Sequence, residues 1–83
     1  MTLNERTQAV KVAWDAAQKS RDFYAKMEEL LGIPPKEMTE LFSRWNKHPR
    51  FMVEEIAQEA GVDLKEAGFA AYLAHIGYGE KSE

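Results

Sequence analysis

Histidine is the side chain best suited to proton transfer or metal ligation near neutral pH, and this 83-residue sequence has two, His48 and His75. Neither has a second histidine or a carboxylate three or four places away, the spacing by which one helix face gathers ligands or a base and its orienting partner. The acid pairs Glu28-Glu29 and Glu54-Glu55 are adjacent in sequence, so on a helix their carboxylates diverge rather than converge on one water or metal. Ser20 and Ser43 have no neighbouring base to activate a hydroxyl nucleophile. Cysteine is absent, which removes thiolate nucleophiles, disulfides and thiolate zinc sites. There is no glycine-rich phosphate loop and no dinucleotide fingerprint. The expectation is therefore no catalysis, no cofactor and no metal.

What remains is chemistry of association. The stretch SRWNKHPRF, residues 43 to 51, gathers Arg44, Lys47, His48 and Arg50 around Trp45 and Phe51. Cations beside aromatics can hold an acidic protein surface or a nucleic-acid strand. The same residues also serve a helix end: Lys47 and His48 would complement the negative pole of a helix C-terminus, and Trp45 would complete an inward stripe. Nine aromatics are more than a chain this short buries easily. Trp14, at the edge of an apolar stripe, and Tyr78, between two glycines, are the expected surface anchors, since aromatics rimmed by polar groups anchor many protein interfaces.

Residues 53 to 73, VEEIAQEAGVDLKEAGFAAYL, resemble a helix-turn-helix: Ile56, Ala57, Ala60, Gly61, Val62, Ala67 and Ala70 supply a small contact residue, a glycine turn and flanking apolar positions. Those residues serve the packing of two helices across a tight turn. Reading DNA needs Arg, Lys, Asn or Gln on the second helix, and here that helix is DLKEAGFAAYLAHIG, with one lysine, two acids and a long apolar run. Residues 51 to 83 carry two Lys/Arg against seven Asp/Glu, whereas residues 1 to 50 carry nine against seven. Phosphate contact, the general source of DNA affinity, would thus be asked of the more acidic half.

The elements that would position these groups are helical throughout. From Leu3 to Leu31 neither Gly nor Pro interrupts, and Leu3, Val10, Ala17, Tyr24 and Leu31 recur every seventh residue, which predicts one long helix over 3–31. Ala9, Ala16, Phe23 and Leu30 widen its apolar stripe, and Gln8, Asp15, Asp22 and Glu29 form a solvated back. Gly32 closes the helix and Ile33-Pro34-Pro35 makes a stiff turn. Met38, Leu41, Phe42 and Trp45 fall at i, i+3, i+4 and i+7, predicting a second helix over 35–47, ended by His48-Pro49. A third helix over 50–60, with Met52, Val53, Ile56, Ala57 and Ala60 inward, and a fourth over 63–77 follow, the latter opened by a capping box of Asp63 with Glu66 and stopped by Gly77 and Gly79, with 80–83 as a frayed tail.

The expected fold is thus all-α, a single small domain of four helices, the last two in a helix-turn-helix-like hairpin. A helix of 29 residues would be roughly 43 Å long, against a domain only about 30 Å across. It must bend or overhang onto a partner, and a homodimer through Leu3, Val10, Ala17 and Tyr24 is the simplest case. No apolar run of about 18 residues could span a bilayer, and the opening residues lack the apolar centre of a secretory leader; the expected location is cytoplasmic. The function these features suit is a non-catalytic protein-protein interaction module: an adaptor, inhibitor or accessory protein, of a kind that phages and other mobile elements carry. The alternative is a helix-turn-helix transcriptional regulator.

Overall fold

The computed structural model describes residues 2–79, and the expected frayed tail, 80–83, lies outside them. Among the described residues the chain is helical without strands: α1 (Leu3–Lys19), α2 (Phe23–Leu31), α3 (Pro35–Lys47), α4 (Arg50–Ala60) and α5 (Leu64–His75). Five helices replace the expected four because the long N-terminal helix is broken at Ser20-Arg21-Asp22. Ser20 is extended (φ −81°, ψ 154°), and its Oγ accepts from the Asp22 backbone N–H at 3.3 Å. Asp22 in turn caps α2, its carboxylate accepting from the Ala25 N–H at 3.1 Å. Short polar side chains compete here with the helix for its own backbone groups.

Tertiary packing rewards the break. With the chain turned back, Met27 and Ile33 are fully buried and Phe23 meets Trp14 edge-on at 5.1 Å between centroids. The molecule spans 33 × 29 × 21 Å, so the overhang expected of an unbroken helix does not exist. The proposed dimer seam disappears with it: Val10 and Ala17 are 0% exposed in the core of a single chain, and Leu3 is half-buried against the same core. Of the seam residues, Tyr24 alone is exposed.

The centre of the fold is α5, against which both α1 and α4 pack. Its small residues Ala67, Gly68, Ala70, Ala71 and Ala74 are buried, which allows neighbouring backbones to come close. α3 reaches α5 instead through rings: Phe42 stacks on Phe69 at 4.8 Å, and Trp45 packs against Phe69 at 5.9 Å and Tyr72 at 5.4 Å. A Cβ on Gly68 would lie 3.3 Å from the Trp45 ring and 2.8 Å from Leu64 Cδ1. Beside it, Ala67 departs from helical geometry (φ −141°, ψ 20°), so α5 is kinked where Trp45 crowds it.

Caps lock the ends. Thr2 and Glu5 form a full capping box on α1, with both reciprocal bonds at 3.1 Å. The backbone N–H of Thr2, donating to the Glu5 carboxylate, holds that carboxyl below its ordinary pKa. At α5 half of the expected box forms: Asp63 accepts from the N–H groups of Lys65 and Glu66. Gly61 and Gly77 take left-handed or positive-φ conformations at the ends of α4 and α5, and the following residues, Val62 and Tyr78, donate back to Ala57 and Leu73, the two-bond closure that glycine permits. The Asn4 side-chain amide donates to Ala60 O at 2.6 Å, tying α1 to the end of α4.

Two substitutions separate a core from a seam. Val10→Glu should unfold the monomer, since an unpaired charge buried in a core costs several kcal/mol; circular dichroism should show lost helix rather than a folded protein with altered sedimentation. Asp22→Ala should cost about 1 kcal/mol in chemical denaturation, with the sedimentation coefficient unchanged.

Candidate interaction surface

The basic stretch folds as the corner between α3 and α4, and the corner sorts its residues. His48 is structural. Its Nδ1–H donates to Arg44 O at 2.7 Å, which fixes the proton on Nδ1 in the neutral ring, and the ring lies edge-on to Tyr72 at 5.1 Å. Trp45 is half-buried among the rings of α5. Arg50 pairs with Glu54 at 2.8 Å in full view of solvent. Arg44 and Lys47 are exposed, and neither has an acidic partner within salt-bridge distance among the described residues, although Glu40 stands one helical turn before Arg44.

Two apolar side chains from α4 complete the corner. Phe51 is 68% exposed and Met52 40%. Met52 joins Pro49, His48 and the stems of Arg44 and Lys47 around a shallow depression of about 310 Å³. The amphipathic period puts Met52 inward, but in the fold it is exposed beside Phe51. The register of α4 decides the matter: Val53, Ile56, Ala57 and Ala60 are the buried face, which turns residues 51 and 52 outward, next to the cations.

The expected surface anchors fare differently. Trp14 is half-buried, ringed by Phe23, Phe42 at 6.0 Å and Phe69 at 5.4 Å, so its aromatic surface is largely used inside the fold. Tyr78 is half-buried as well; its hydroxyl donates to Glu37 Oε1 at 2.5 Å and ties the chain after α5 to the start of α3. Burial, with the bond to the Glu37 carboxylate adding to it, pushes the Tyr78 phenol up to about 12. The aromatics left at the surface are Phe51 and Tyr24.

Two other surfaces were candidates. A cleft of about 410 Å³ at the α5 kink is floored by Trp14, Trp45 and Phe69, and its rim of Lys11, Lys65, Asp15 and Glu66 balances in charge. A second groove, about 520 Å³, is apolar and lies between α1 and α2, with Ala9, Ala13 and Ala16 as its floor and Val12 and Leu30 as exposed ridges. Among the described residues no group of three or more His, Asp or Glu side chains is placed to hold a metal ion, and no helix is long and apolar enough to cross a membrane.

The raised Tyr78 pKa has a signed consequence. A phenol whose pKa rises on folding stabilises the fold fully below the unfolded value of 10.0, and that contribution is lost as pH climbs toward about 12. The stability difference between the parent chain and Tyr78→Phe, measured by denaturant titration, should therefore shrink across that interval and hold steady below it.

No protein-family model, curated protein or solved structure matches this chain, so the chemistry of its own surface carries the functional reading.

Proposed function

We propose that this protein is a non-catalytic protein-protein interaction module, an adaptor, inhibitor or assembly factor, and that the α3–α4 corner is its docking surface. The observation that carries the reading is the exposure of Phe51 and Met52 beside Arg44 and Lys47, which have no salt-bridge partner among the described residues. Leaving a phenylalanine in water forgoes roughly 1.5–3 kcal/mol of burial, in a chain that uses nearly every other large ring inside. An aromatic with adjacent arginine is the composition that dominates binding energy at protein interfaces.

The burial of α5 weighs against the alternative, a helix-turn-helix regulator. The helix that would enter a DNA groove has seven of its twelve residues buried, and its exposed side chains are Lys65, Glu66 and His75. A helix enclosed by α1 and α4 has no free face to lay along base edges.

A photo-crosslinking amino acid at position 51 should capture one discrete protein in the source cells, whereas the same group at Gln8, on the solvated back of α1, should not. Identical products from both positions, or a sequence-specific duplex complex at low salt, would reject the reading. Arg44→Ser combined with Arg50→Ser should keep the thermal stability within about 0.5 kcal/mol, because the exposed Arg50–Glu54 pair is worth only about 0.3–0.5 kcal/mol, while weakening the captured complex.

A further inference from the structure

We infer that the occupant of the α3–α4 corner is an acidic peptide segment that presents one apolar side chain, its carboxylates on Arg44 and Lys47 and its apolar group on Met52 and Phe51. The inference rests on the interaction reading above and adds to it the partner's chemistry and orientation. Arg44 and Lys47 stand over the depression with their charge unspent: among the described residues no carboxylate comes within salt-bridge reach of either. The depression they rim is apolar at its base, built from Pro49, Met52 and their own stems. Long cationic side chains that lay their methylenes along apolar surface while the charged head stays in water suit a ligand apolar at its centre and anionic at its edge. His48 removes an obstacle. Its N–H on Arg44 O covers one of the last carbonyls of α3, whose partial negative charge would otherwise face an acidic chain.

Orientation follows from the far side of the corner. Beyond Phe51 the outer face of α4 carries exposed Glu54, Glu55 and Glu59, so an acidic segment is repelled from running along α4 and is directed across the end of α3. The same acids disfavour a nucleic-acid strand. A strand needs a cationic track several nucleotides long with rings to stack on, and this corner offers two cations without an acidic partner among the described residues, one exposed ring and an acidic flank. A short acidic-apolar segment satisfies every group present.

The test uses the full chain, observed by amide chemical shifts during titration with three probes: a blocked peptide with leucine flanked by glutamates, the same peptide with lysines for the glutamates, and an oligouridine strand. The glutamate peptide should move the amides of residues 44–53 and lose affinity between about 50 mM and 500 mM salt, as screening shortens the reach of charge. Arg44→Ser with Lys47→Ser should weaken it about fivefold at low salt, two exposed charge pairs being worth about that factor. Glu54→Gln, which frees Arg50 and removes a like charge, should tighten it. Thermal melts confirm that each variant folds. Equal binding of the lysine peptide, or indifference to the Arg44/Lys47 and Glu54 changes, would overturn the acidic partner while leaving an apolar interaction surface standing. Silence at the corner with all three probes, while position 51 still crosslinks a protein in cells, would overturn it in the same way. Preferential binding of oligouridine at these amides would overturn both this inference and the protein-interaction reading.

Discussion

The close approach of α1 and α4 to the small-residue face of α5 is the constraint on which the rest of the structure depends. Ala70, Ala71 and Ala74 let two helices pack closely on the third, and at Gly68 a Cβ would press on the Trp45 ring at 3.3 Å. Once α1 and α4 are packed on α5, the α3 side is left for its rings. Phe69 and Tyr72 take it, and a line of rings runs from Phe23 through Trp14, Phe42, Phe69 and Trp45 to Tyr72 and His48. Edge-to-face and offset ring pairs contribute about 0.5–1.5 kcal/mol each beyond their burial, a large share for a chain at the size where one core supplies only a few kcal/mol.

That arrangement also fixes what is left outside. α4 presents Val53, Ile56, Ala57 and Ala60 to α5, and a helix cannot turn one face inward without turning the opposite one out. Phe51 lies on that outer face and Met52 on the flank, and both emerge where α3 ends in cations. Phe51 keeps 68% of its surface in solvent. The proposed docking surface rests on that exposure, whereas Trp14 and Tyr78 are accounted for by contacts with Phe69 and Glu37.

Helix identity was legible in the sequence wherever period and punctuation agreed. α3 lies over the expected residues because Met38, Leu41, Phe42 and Trp45 leave no gap in the stripe and Pro35 and Pro49 flank it; α4 follows because Pro49 and Gly61 bracket it. The break at Ser20-Arg21-Asp22 was not legible in the same way. The heptad of Val10, Ala17 and Tyr24 continues through it without Gly or Pro, and the available sign, an aspartate three residues before Ala25, is a capping pattern that also occurs inside solvated helix faces. Thr2 and Glu5 carried an equally local capping pattern, and it does form.

The sequence by itself determined the all-helical class, both ends of α3 and of α4, and the gathering of charge at residues 44–50, because each is a property of residue type and near-neighbour spacing. Tertiary structure decided which apolar stripe is core and which is surface. Val10 and Ala17, candidates for a seam between two chains, became interior because the bend after Lys19 lets α2 and α5 cover them. Met52, assigned inward by periodicity, became surface because α5 accepts only one edge of α4. An amphipathic period names a face but not what that face meets. The partner of a face depends on contacts between residues tens of positions apart, such as Asn4 with Ala60 and Glu37 with Tyr78, and those distances exist only once the chain has folded.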